Sequence, residues 1–156
     1  MRVDTGILDA ATYLLTGPTA TEDIFNVYGR IKVMQLFMEV ITVLDAQATV
    51  MFYTYTSDTP AETVQPISAV SATMTGMIRG ERHICIGTTV GTACVVDSVA
   101  PGISQLIMKE KLILGANGGS GNIGINTATA SMTSGTIRFS LFYVPMSDGA
   151  YATNVV

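Results

Sequence analysis

The chain has 156 residues, 48% of them hydrophobic and 13% charged, and its net charge is −4. That length suits one domain, burying roughly 70% of its unfolded surface without a metal or disulfide staple. Its scattered basic residues argue against nucleic-acid binding, and no apolar run nears the ~18 residues a membrane-spanning helix needs.

Thr, Ser, Ala and Gly make up much of the remainder, which favours strands and turns over helices. A low-charge exterior is also what remains when much of it lies against other subunits. In chain order, the first segment is "MRVDTGILDAATYLLTG". Asp4 and Asp9 interrupt its apolar stretch and argue against a secretory signal, so cytosolic synthesis is expected. Ile7, Leu8, Ala11, Leu14 and Leu15 fit one face of a short helix stopped by Gly17-Pro18, and the segment reads equally as an extended arm. The expected organisation is an N-terminal arm over 1–20 and a β domain over 21–156.

The run from Gly29 to Leu44 is two-sided. Lys32, Gln35, Glu39 and Thr42 are spaced as a helical stripe. Yet Phe25, Val27, Ile31 and Val33 share one parity, and Met34, Leu36, Met38 and Val40 share the other. A bulge near Val33 and Met34 reconciles both sets with one long bent strand, and strand is the reading adopted. "ATVMFYTYTS" is β-branched and aromatic and reads as a strand. "QPISAVSATMTG", "RHICIG" and "ACVVDS" read as short strands, the last two as a hairpin turning near Thr89 and Val90. Cys85 and Cys94 would then face each other across it, at disulfide reach, although reduced thiols suit the expected compartment better.

Towards the C-terminus, "LIMKEKLILG" reads as a strand with Lys109, Glu110 and Lys111 at a wet or edge position. "NIGINTATA" alternates Ile123 and Ile125 with Gly124 and Asn126. "GTIRFSLFYVP" sets Ile137, Phe139, Leu141 and Tyr143 against Arg138 and Ser140, a half-buried strand that Pro145 should end. Short strands at regular spacing with no βαβ alternation predict an all-β sandwich or barrel.

Chemistry-bearing patterns are few. Gly119, Gly121 and Gly124 form a GxGxxG, but a dinucleotide site needs the third glycine in the first turn of a helix. "NIGINTATASMTSG" alternates instead, so Gly115 to Gly121 is expected to be a hairpin or inter-sheet loop with no cofactor. The single histidine, His83, has Cys85 nearby but no orienting third group, and one histidine does not build the common zinc sites. Neither catalytic residues nor a metal site is expected. Glu81 and Arg82 read as an exposed turn pair. Asp45, Asp58, Glu62, Asp97 and Asp148 read as scattered loop acids without EF-hand spacing. Met34, Met38, Met51, Met74, Met77 and Met108 fit core packing, with some left for subunit contacts.

The order of "TEDIFNVYGRIKV", "EVITVLDAQATVMFYTYT", "RHICIGT" and "GTIRFSLFYVPMSDGA" resembles that of small structural proteins of tailed bacteriophages, among them capsid decoration (cement) proteins. The likeness spans Thr21 to Ala150. It implies a jelly-roll-like β-sandwich that forms a homotrimer. Such a trimer sits on the outer capsid at threefold or quasi-threefold positions and straddles subunits of the major capsid protein. It also implies a virion location, with no nucleic-acid or membrane partner. No family motif maps onto single residues here. The N-terminal segment is our own candidate for a capsid-contact arm, through Ile7, Leu8, Tyr13, Leu14 and Leu15. The alternative expectation is a tail or fibre module that binds a host-surface glycan.

Overall fold

The computed structural model of the chain describes residues 1–13, 20–45, 49–56, 65–69, 74, 76–84, 95–97, 112–128 and 132–156. In chain order the elements are β1 (Arg2–Asp4), β2 (Leu8–Asp9), α1 (Ala10–Tyr13), β3 (Ala20–Thr42), β4 (Thr49–Thr56), β5 (Gln65–Pro66), β6 (Arg82–Ile84), β7 (Val95–Asp97), β8 (Leu112–Ala128), β9 (Thr136–Pro145) and β10 (Tyr151–Asn154). The fold is all-β. One four-residue helical turn is the only helix among the described residues, and the strands form an open antiparallel sheet ordered β1-β9-β3-β8-β4-β5.

β3 organises everything else. Its first half lies between β10 and β8, and its second half between β9 and β6. Ile31 to Val33 pair on both sides at once, with β8 and with β9. The two halves are therefore the centres of two strand groups that share one spine.

The register explains why this sequence stays extended despite its helical stripe. Val33 pairs with Tyr143 and Gln35 with Phe142, so Met34 is bulged out. That single insertion exchanges the parity. Phe25, Val27, Ile31 and Val33 are buried before it, and Leu36, Met38 and Val40 after it. Further register shifts fall at Ile24 and Gly29. Gly29 has φ +68°, and a Cβ there would come within 2.9 Å of the Ser147 hydroxyl and 3.0 Å of the Ala150 Cβ. Only a residue without a side chain fits that conformation and that gap.

β9 keeps its predicted inward face and its end: Ile137, Phe139, Leu141 and Tyr143 are buried, and the strand ends at Pro145. They pack with the β3 residues, Ile123, Ile125, Ile67, Met74, Met77 and Met132 into one core. Ser140, expected on the open face, is buried as well, so that face is not simply half-exposed. Of the six methionines expected to pack, Met38, Met74 and Met77 are buried. Met108 lies outside the described residues.

The glycine-rich stretch is not a loop. β8 runs unbroken from Leu112 to Ala128, and Gly115 to Gly121 lie within it. The correction has a simple cause. Tyr28 pairs with Ser120 and Arg30 with Gly115, so residues 116–119 face Gly29 alone. Glycines absorb that wide bulge while the ladder resumes on each side. Gly124 pairs with Asp23 and Tyr53 inside the strand, which continues from it to Ala128 where a dinucleotide site would begin a helix.

The described N-terminal segment is mainly extended; of the expected helix face only Ala11 lies in a helix, while Leu8 is in β2, Ile7 precedes it, and Leu14 and Leu15 lie outside the described residues. β1 and β2 pair with β9, and α1 follows them. The Met1 ammonium donates to the Tyr143 carbonyl at 2.7 Å, and Tyr143 N–H donates back to Met1 at 2.9 Å. Residues 1–13 are thus joined to the sheet by backbone bonds.

β6 and β7 pair as the expected hairpin, with Arg82 opposite Asp97 and Ile84 opposite Val95, a register symmetric about the Thr89–Val90 bond. Cys85, Cys94, Lys109, Glu110, Lys111, Asp58 and Glu62 lie outside the described residues. Among the described residues of "QPISAVSATMTG", Gln65 and Pro66 form a strand, followed by the buried pair Ile67 and Ser68.

Candidate functional site

Alternation gives the sheet an outer layer on the side away from the core. On the β1, β9, β3, β6 group this layer contains Arg2 and Asp4, Phe142, Ser140 and Arg138, Gln35, Phe37 and Glu39, then Ile84 and Arg82. The Phe37 and Phe142 rings lie 6.2 Å apart, with the Arg82 guanidinium 5.3 Å above Phe37 and that of Arg2 5.1 Å above Phe142. Both arginines thus lie within cation–π range. Glu39 receives Arg138 in a direct ion pair and Arg82 at 3.7 Å. Arg2 pairs with Asp4 at 2.8 Å. Burial pushes the Asp4 carboxyl up, but the Arg2 guanidinium beside it outweighs that and holds Asp4 below its ordinary value. Three arginines thus share two carboxylates, with Arg82 and Arg138 both on Glu39.

Glu81 and Arg82 are not a turn pair, because each has its partner elsewhere. Glu81 accepts from the Ile78 N–H at 2.8 Å, and Arg82 belongs to β6. His83 lies between them and Cys85 in chain order, with its backbone opposite Met38 and Val96. Among the described residues no three His, Cys, Asp or Glu side chains gather as a metal site would require.

The acids also separate by environment. Asp97 is in β7, not in a loop. Asp45 follows β3 and accepts from the Thr133 hydroxyl, from Thr133 N–H at 3.3 Å and from Ser134 N–H at 3.0 Å. The Thr133 hydroxyl is the main cause that lowers its pKa to about 2, with Ser134 adding to it. Next to it Gly135, at φ +105°, lies so close to Leu44 that any Cβ would overlap the Leu44 side chain. Asp45 therefore fastens the exit of β3 to the entrance of β9.

The second outer layer covers β10, β3, β8 and β4. Tyr151 pairs directly with Tyr28, and their rings stack at 4.5 Å with 18° between planes. Thr153, Asn26 and Asn122 form the next row, and the Asn122 amide donates to Asp23 at 2.8 Å. Tyr55 and Tyr53 hold the register positions opposite Asn122 and Gly124.

The candidate contact residues divide. Leu8 is buried at 6% exposure, and Tyr13 packs against the core. Ile7 is 65% exposed between β1 and β2, beside the outer edge of the sheet. Leu14 and Leu15 lie outside the described residues. The sequence reading missed Met1, which is 71% exposed on the same edge, and it missed the Tyr28–Tyr151 stack. Local sequence holds no signal for that stack, which needs the pairing of β10 with β3. Comparison with protein-family models, with curated proteins and with solved structures found no match.

Proposed function

We propose that the chain is a virion structural protein, a capsid decoration (cement) protein. In this reading it is made in the host cytoplasm and joins the outer capsid surface as a homotrimer that braces subunits of the major capsid protein. A jelly-roll-like closure of the sheet belongs to the same proposal. One observation carries it. Met1 and Ile7, which flank β1 at the end of the sheet path, expose large apolar side chains. An uncovered edge with apolar side chains invites pairing with another chain, and assembly is the usual way to cover it. A threefold ring buries such an edge against a neighbour through a heterologous contact. The low charge of the chain limits the desolvation cost of lying on a lattice.

Co-sedimentation with undecorated capsids tests this reading. Binding at micromolar concentration, together with a solution mass of three chains by light scattering, is the expected result. A monomer that remains in the supernatant would remove the proposal. Electron microscopy that placed the chain on a tail or fibre would favour the alternative location.

A further inference from the structure

We infer that the turn joining β9 to β10 is a site of spontaneous covalent modification: Asp148 isomerises to isoaspartate, and the isomer loosens β10. The inference does not depend on the particle role proposed above.

Asp148 is the only aspartate in the chain that a glycine follows. The turn around it is clamped on both sides. Met146 N–H donates to the Arg30 carbonyl at 2.8 Å, and Arg30 N–H donates to the Ser147 hydroxyl at 3.0 Å. Ala150 N–H donates to the Ser147 carbonyl at 3.1 Å, and Ala150 is buried beside Gly29. Between these clamps Asp148 and Gly149 are both exposed. Gly149 has φ +73°, and a Cβ there would meet no atom within 4 Å. Among the described residues, no hydrogen bond engages the Gly149 N–H. The other described aspartates differ. Asp4 is held by Arg2, Asp23 by Asn122, and Asp45 by Thr133 and Ser134.

An aspartate carboxyl next to an exposed, unbonded backbone nitrogen closes a succinimide ring. The Gly149 nitrogen attacks Asp148 Cγ, the N–Cγ bond forms and the Cγ–OH bond breaks. The hydroxyl departs with the amide proton as water. Glycine leaves that nitrogen unshielded and its backbone free to turn towards the carboxyl. Water then opens the ring. Attack at Cγ restores aspartate. Attack at the main-chain carbonyl breaks the original peptide bond and passes the chain through Cγ, which is isoaspartate. The isomer inserts one extra carbon into the main chain inside the Ser147–Ala150 turn. Beyond that turn β10 is held by Ala152 N–H on the Tyr143 hydroxyl at 3.1 Å and by Val155 N–H on the Ile24 carbonyl at 3.0 Å. A longer turn no longer presents Ala150 to Gly29 at the same place, so these two bonds open more often.

Ageing the intact protein at neutral pH and physiological temperature tests the site, with peptide mapping and isoaspartyl methyltransferase labelling as the readout. Mapping separates the product from deamidation at Asn117, which also precedes a glycine. Isoaspartate at residue 148 should exceed that at every other aspartate at least fivefold. It should form at a rate within fivefold of that in a free peptide spanning residues 145–151. The amides of Ala152 and Val155 should exchange with solvent at least threefold faster in the isomerised fraction than in fresh protein. Asp148→Glu keeps the charge but closes the larger ring slowly, so this variant should age without that change. A native rate more than fivefold below that of the peptide would show that the turn holds the site inert, and would overturn the inference. Isoaspartate spread evenly over the aspartates would do the same, as would equal loosening of aged Asp148→Glu.

Discussion

Gly29 and Ala150 approach so closely that a Cβ on the glycine would lie 3.0 Å from that of the alanine. Gly29 also stands opposite the four-residue bulge of β8 and takes a left-handed backbone conformation. Replacing it with alanine adds strain of about 1–3 kcal/mol and a contact with the backbone and side chain of Ala150. The expected outcome for Gly29→Ala is a clear fall in the urea midpoint with an unchanged slope. An unaltered midpoint would mean that the turn before β10 moves aside freely.

Asp45 sets an acid limb in the stability curve. Its folded pKa, about 2, lies below the ordinary value of 3.8. A carboxyl depressed on folding contributes stability that is fully present above the unfolded value and disappears as pH falls through the folded one. Parent and Asp45→Ala urea midpoints should therefore differ most above pH 4 and converge towards pH 2. A gap that is constant across this range would show that the carboxylate charge plays no part. The contribution is small because the group is exposed.

The Glu39 cluster should divide unequally between its arginines. Arg138 makes a direct contact and Arg82 stands off at 3.7 Å. In double-mutant cycles, we expect the Glu39–Arg138 coupling to reach ~1–2 kcal/mol and the Glu39–Arg82 coupling to stay below ~1 kcal/mol. Arg82 would then owe more to Phe37 than to the carboxylate. Equal couplings would contradict the geometry.

Ile7 separates assembly from folding. Because it is exposed, Ile7→Asp should change the stability of the isolated chain by no more than about 0.5 kcal/mol. In the proposed particle role it should nevertheless weaken co-sedimentation with capsids at least tenfold, since an apolar anchor becomes a charge. Removing all of residues 1–13 is a poorer test. It also deletes β1, β2 and the buried residues Thr5, Leu8 and Ala10.

What was legible in the sequence was whatever depends on near neighbours. Alternation from Ile137 to Tyr143, ended by Pro145, gave β9 its face and its end. The change of parity between Val33 and Met34 gave β3 its bulge, because one inserted residue exchanges inside for outside. The misreading of Gly115 to Gly121 came from the same local view. Glycine, asparagine and serine have weak intrinsic strand preference, and the ladder on each side of the bulge depends on partners far away in sequence, Arg30 at Gly115 and Tyr28 at Ser120. The two stacked tyrosines, Tyr28 and Tyr151, belong to strands far apart in the chain. Neither carries a local signature, since their relation exists only once β10 has docked.

The position of β3 also has a consequence during translation. Its main partners, β8, β9 and β10, leave the ribosome last, so an apolar strand of 23 residues emerges long before anything can pair with it. Pairing over such separations is slow, and nascent chains with an unmatched edge are prone to misassociation. Synthesis that halts before β9 should yield insoluble fragments rather than a partly folded domain, and a holding chaperone should improve the yield of the full-length product.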